Sequence, residues 1–176
     1  MYGDDPFDPG LSRRMETRIR QEFEVAESEA MILAARQKRM SDVAWEASQA
    51  GRMVRILVGR RRLDGLPVYV RNDLMTMETP NGRAEVRLPG VDALTVLPTF
   101  GEGRPESHTV ETFLARIGML QLIEDDYEVV CRGGESGFTG RIDWVARDHL
   151  AVNTAIGRIH VALDRVAYVM RRTRPR

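Results

Sequence analysis

The sequence predicts an α+β protein in which a long N-terminal amphipathic helix leads into two tandem five-stranded small β-barrels, each preceded by a helix. Three observations predict it. A stretch from Ser12 to about Ala50 holds neither Pro nor Gly, the hydrophobic period changes from about 3.6 to 2 near Met53, and the second half repeats the first at a constant offset of 75 residues. Sliding Gly59, Gly65, Val70, Asp73, Thr79, Gly82, Arg83, Val86, Leu88 and Val91 forward by that offset reaches Gly134, Gly140, Val145, Asp148, Thr154, Gly157, Arg158, Val161, Leu163 and Val166. The repeated types are turn glycines and branched residues at alternate positions, so they specify a fold unit used twice rather than a reaction.

Residues 1–10 hold Pro6, Pro9, Gly10 and three aspartates around Phe7, and are expected to form a mobile acidic leader. The helical segment, 11–50, is rich in strong helix formers. Leu11, Met15, Ile19, Phe23, Ala26, Ala30 and Leu33 recur at spacings of three and four, which marks one apolar face. Ser12 is the expected N-cap and Gly51 the expected terminator, with a break into two helices near Gln37 to Asp42 as an alternative. The apolar face needs a partner, either a barrel of this chain or the same helix of another copy.

The first barrel is expected over 51–98. Val54, Ile56 and Val58 alternate with Arg55 and Leu57, and Leu63 to Val70 and Leu74 to Thr79 follow as strands. Asn81-Gly82 suits a tight hairpin, Ala84 to Leu88 pairs back across it, and Pro89-Gly90 turns the chain into Val91 to Leu97. Short strands with hairpin connections suit a strongly bent, closed sheet, which leaves few exposed edges. Residues 99–126 are read as a linker and a second amphipathic helix through Val110, Phe113, Leu114, Ile117, Leu120 and Ile123, capped by Ser107 or Thr109. The second barrel is expected over 127–172, with strands at Tyr127 to Cys131, Phe138 to Val145, Leu150 to Asn153, Ile159 to Leu163 and Val166 to Met170. Residues 173–176 form a basic tail.

At 176 residues the chain suits one domain or two small ones, and a repeat of about 45 residues needs outside cover to be stable. With 43% hydrophobic and 30% charged residues it reads as an ordinary globular protein. No apolar run approaches the roughly 20 residues of a membrane span, and the first residues lack the basic and apolar regions of a signal peptide, so a cytoplasmic location without membrane contact is expected. The single cysteine, Cys131, fits a reducing compartment and reads as a small half-buried strand residue. The net charge of zero conceals segregation: residues 48–98 carry 8 basic and 5 acidic side chains and 127–176 carry 9 and 5, against 7 and 10 in 1–47 and 2 and 6 in 99–126. Basic barrels either meet phosphate or are neutralised by their own acidic helices.

A helix leading into five short strands, with Val54, Gly59, Leu63, Gly65, Asp73, Leu74 and the closing Val91 to Pro98, resembles the Sm-like superfamily of SH3-type barrels, and within it the bacterial RNA chaperone Hfq. The second repeat is similar through Gly134, Gly140, Asp148, Leu150, Val161 and Val166. The tandem arrangement is also similar to that of proteins from bacteria with G- and C-rich genomes. The resemblance implies tandem Sm-like barrels and RNA binding. Against it, the chaperone's Tyr-Lys-His segment is replaced by Arg87-Leu88-Pro89-Gly90 in one repeat and by Ala162-Leu163-Asp164-Arg165 in the other, so the groups that contact uridine are missing.

No catalytic constellation is present: there is no Gly-x-Ser-x-Gly elbow, no phosphate-binding Gly loop with Lys and no His-Glu-x-x-His helix. His108, His149 and His160 lack metal-like spacing. A non-enzymatic protein without cofactor or metal is therefore expected. The strongest local signal is Arg60-Arg61-Arg62, whose guanidinium groups suit phosphate oxygens, and Arg71, Arg83, Arg132, Arg141, Arg147 and Arg158 extend the candidate set. The first functional expectation is a regulator or adaptor that binds nucleic acid, RNA in preference to DNA, through these arginines. The second is a protein-interaction module that docks or homodimerises through Met15, Ile19, Phe23, Ala26, Ala30 and Leu33.

Overall fold

The computed structural model describes residues 9–107, 109–133 and 137–172, with side chains from Met15 onward. The acidic leader up to residue 8, His108, Gly134 and the tail 173–176 lie outside the described residues. By its contacts the chain divides into two compact units, Met1–Lys38 and Arg39–Arg176.

The first unit contains helix α1, Pro9–Gln37. It begins at the proline, whose missing N–H costs nothing in a first turn, so Ser12 lies inside the helix rather than at its cap. The helix ends at Gln37, so the alternative of two helices broken near Gln37 to Asp42 holds rather than one continuous helix. Arg39 turns to extended backbone at φ −91° and ψ 161°, and Asp42 Oδ2 accepts its N–H at 2.7 Å, starting helix α2, Met40–Gln49, in the second unit. Gly51, at φ +64°, then terminates α2 as expected.

Strands β1 (Arg52–Val58), β2 (Arg61–Arg71), β3 (Leu74–Thr79), β4 (Gly82–Arg87) and β5 (Ala93–Phe100) follow, then helix α3 (Phe113–Gln121). Strands β6 (Asp126–Cys131), β7 (Gly137–Val145), β8 (His149–Thr154), β9 (Gly157–Ala162) and β10 (Val166–Arg171) complete the chain. Helix α3 starts later than the sequence suggested. Thr112 is its N-cap, accepting the Ala115 N–H at 3.2 Å, and Asp73 Oδ1 accepts the Phe113 N–H at 2.9 Å.

The duplication is present in the backbone register. The shift opposite Pro67 and Tyr69 in the β2/β3 pair recurs opposite Ile142 and Trp144 in β7/β8, and it accommodates Pro67 inside a strand. Thr79 Oγ1 accepts the Asn81 N–H and donates to the Gly82 carbonyl, and Thr154 does the same with Ile156 and Gly157. Both β4 and β9 end in a short 3-10 turn, where Leu88 N and Leu163 N donate to the carbonyls of Asp73 and Asp148, each at 2.8 Å.

Two closed five-stranded barrels do not form, and this corrects both the fold expected from the sequence and the Sm-like resemblance that rested on it. All ten strands belong to one open antiparallel sheet in the order β5-β1-β2-β3-β4-β10-β6-β7-β8-β9. The physical cause is the fate of the β4 edge. Instead of closing on its own half it pairs with β10, through Tyr168 opposite Val86, Val169 opposite Glu85 and Met170 opposite Ala84.

That junction also joins the two cores. Helix α2 lays Ala44 and Ala47 on the first, which takes Tyr168 and Met170 from β10. Helix α3 lays Phe113, Ile117 and Leu120 on the second, which takes Val166 and Val169 from the same strand and Tyr69 and Leu74 from the first half. Residues Val166–Met170 are buried on both faces of β10. Each fully buried large apolar side chain stabilises by about 1.5–3 kcal/mol, so β10 ties the halves together strongly.

Candidate functional site

The arginines singled out in the sequence are spread over the sheet, and most already have a carboxylate. Strand alternation separates the triplet. Arg60 lies exposed in the β1/β2 turn, Arg61 reaches across the junction to Glu128 Oε1 at 2.6 Å, and Arg62 lies 4.0 Å from Asp64. Asp64 itself takes two hydrogen bonds at 2.7 Å from Arg55, which holds its carboxyl below the usual carboxylate range.

Four arginines of the sheet bind the acidic segment between the repeats. Arg71 reaches Glu111 at 2.8 Å, Arg83 forms a two-pronged bond to Glu106, Arg141 lies 3.6 Å from Glu124, and Arg171 pairs with Asp125. Arg132 lies 3.9 Å from Asp92, and Arg158 pairs with Asp143. Of the sequence-nominated arginines, only Arg60 and Arg147 have no acidic partner among the described residues.

The sequence did not single out the most buried charge. Glu85, 2% exposed on β4, accepts hydrogen bonds from Thr76 Oγ1 at 2.6 Å and Arg116 Nε at 2.8 Å, with Arg83 Nε at 3.6 Å. Arg116 comes from α3, so this carboxylate pins the helix to the sheet. An acidic residue between Ala84 and Val86 in an alternating strand was the available signal, and nothing local says that a helix covers that face of β4.

On the second half, Trp144 meets His160 edge-on at a centroid distance of 5.5 Å, and the Arg158 guanidinium lies 4.6 Å from the Trp144 ring centroid. His149 lies 5.3 Å from His160 and hydrogen-bonds Asp148 through Nδ1 at 2.7 Å. No cluster of three or more metal-binding side chains occurs among the described residues. Tyr69 and Tyr168 are buried, and Phe138 and Trp144 are half-buried. Cys131 is half-buried at the end of β6, and burial pushes its thiol upward, away from the reactive thiolate.

An open cavity of about 930 Å³ lies between the start of α2 and the β2/β3 turn, lined by Arg39, Trp45, Arg71, Asp73 and Pro89 among others. Arg71 is the only sequence-nominated arginine in it.

The helix face presents a different surface. Met15 is 65%, Phe23 72% and Leu33 58% exposed, and Ile19, Ala26 and Ala30 are exposed as well. Val25, Met31 and Ile32 widen the apolar area beyond the expected face. No described helix is long and apolar enough to cross a membrane. No family model matches the chain, and no curated relative matches it.

Proposed function

We propose that the chain is a non-enzymatic interaction module, a scaffold that engages a protein partner through the apolar face of helix α1. The observation that supports this reading most is the contrast in how the two candidate surfaces are occupied. The arginines that would meet phosphate are largely bound to carboxylates of this chain, and a nucleic acid would have to displace those partners. The apolar residues of α1 are exposed over three turns and more, a larger apolar area than a solvated helix ordinarily shows.

The test compares the full chain with a variant carrying Ile19→Glu, Phe23→Glu and Leu33→Glu. In pull-downs from cell extract, partner proteins should stay with the native chain after nuclease treatment and disappear with the variant. In parallel, binding to a labelled RNA and DNA panel is followed across a salt series. Tight nucleic-acid binding that weakens steeply with salt, by a log-log slope of about 0.9 per duplex phosphate contact, and that is lost on joint Arg60→Ser and Arg147→Ser substitution, would replace this reading with the nucleic-acid one.

A further inference from the structure

We propose that copies of this chain associate head to tail through the two open ends of the sheet, strand β9 of one molecule pairing antiparallel with strand β5 of the next. The proposal uses no residue of helix α1 and stands apart from the function proposed above.

The outer strands are β5 and β9, and no further strand covers either among the described residues. An uncovered edge presents a row of unpaired backbone donors and acceptors, which is a template for another strand. The molecule contains the matching pair internally. By the 75-residue offset, β9 is the repeat of β4 and β5 is the repeat of β10, and β4 and β10 are the strands that join the halves. The open ends are therefore the two sides of the internal junction, left unused.

The equivalence holds in geometry, although β6 follows β1 at an offset of 73 (129 − 56) where the later strands keep 75: Ile56 faces Leu63 as Val129 faces Phe138. Leu94 then stands opposite Ile56 and Ala93 opposite Leu57, as Val169 stands opposite Val129 and Tyr168 opposite Val130. On the other side, Val161 stands opposite Leu150 as Val86 stands opposite Met75. Each free strand is thus held by its neighbour in the register that serves the internal junction. Carrying that junction over by the offset predicts the intermolecular register: Ala93 opposite Val161, Leu94 opposite His160 and Thr95 opposite Ile159.

The edges themselves fit this use. Thr95 is exposed and Ile159 half-buried, so a second strand would cover both. Pro98, which would interrupt a ladder, lies beyond Thr95 and outside the carried-over pairs. One position differs. A Cβ at Gly90 would lie 2.6 Å from the Val166 carbonyl oxygen, and the residue at the equivalent open end is Arg165. The turn after β9 must therefore stand further off than the turn after β4, which confines the contact to the strands and makes it weaker than its internal counterpart. A head-to-tail contact of this kind builds a ring if its rotation closes and a fibre if it does not.

Sedimentation equilibrium of the full chain should show concentration-dependent association, lost in Thr95→Lys and in Ile159→Lys and unchanged in Phe23→Glu. Arg165→Gly should tighten it. If Ile159→Lys does not fold, the exposed Thr95→Lys decides. In a Cys131→Ser background, Thr95→Cys with Ile159→Cys should give an intermolecular disulfide ladder on oxidation, and the out-of-register pair Thr99→Cys with Ile159→Cys should not. A chain that stays monomeric, association that survives Thr95→Lys but is lost in Phe23→Glu, or a disulfide formed within one chain would each overturn the proposal.

Discussion

The two halves of the sheet share the register of their inner strands, the bulge between the second and third strand and the 3-10 turn after the fourth, yet they place the same position in opposite environments. Glu85 on β4 and His160 on β9 are related by the 75-residue offset, and each faces the matching residue of its neighbour, Thr76 or Ala151. Glu85 is buried and His160 is exposed. The difference lies in what covers them: β10 and α3 close over β4, whereas β9 is an outer strand. Burial in this molecule is thus set by which edge finds a partner and not by the local strand pattern, because both halves supply the same local frame.

The strongest way to break the comparison is to remove the two side chains in turn. Glu85→Ala strands the Arg116 guanidinium, 16% exposed, without its carboxylate, and should cost about 3 kcal/mol, the low end for a buried pair because Arg116 retains some solvent. His160→Ala should stay within about 0.5 kcal/mol. Urea denaturation measures both, and equal losses would show that the junction gives β4 no special weight.

A smaller effect separates Asp73 from its repeat, Asp148. Their carbonyls do the same work, but the Asp73 carboxylate caps α3 whereas that of Asp148 holds its neighbour His149. Asp73→Ala should therefore cost about 1 kcal/mol, as a lost helix cap does, and Asp148→Ala clearly less. Matching thermal shifts for the two variants would contradict the assignment of the cap.

The smallest effect concerns acid. Asp64 has its folded pKa depressed by the Arg55 hydrogen bonds, so the folded chain binds fewer protons than the unfolded one through the carboxylate range. Its contribution is present above the ordinary carboxylate pKa and is lost as pH falls through the lower folded value. The repeat-related residue in the second half is Thr139, which does not titrate there, so this ion pair has no counterpart at the equivalent position. Asp64→Asn should flatten the fall in denaturation midpoint as pH drops through and below the ordinary carboxylate range, and an unchanged profile would remove the pair from the account.

Much of the chain was legible locally. The helix break at Lys38-Arg39, the Asn81-Gly82 hairpin and the order of the strands follow from period and turn residues that act over a few positions. The α3 cap was misplaced because Ser107 and Thr109 are equally good capping types; Asp73, some forty residues earlier, fixes Thr112 by binding the Phe113 N–H. The candidate site was legible as residue types and not as pairings: the sequence left open whether the arginines meet phosphate or this chain's own acids, and Glu128, the partner of Arg61, lies across a junction that no local pattern announces.

What the sequence determined by itself is a unit of five short strands, the first four linked by hairpins, led by a helix and used twice, since glycines, branched residues and helix formers impose their preferences on neighbours in the chain. Only the tertiary structure decided that the units share one open sheet through β4 and β10, and hence which arginines are neutralised. The reason is physical: strand edges are joined by backbone N–H and C=O groups that every residue carries, so the choice of partner is made by packing among distant strands and leaves no mark in any single segment.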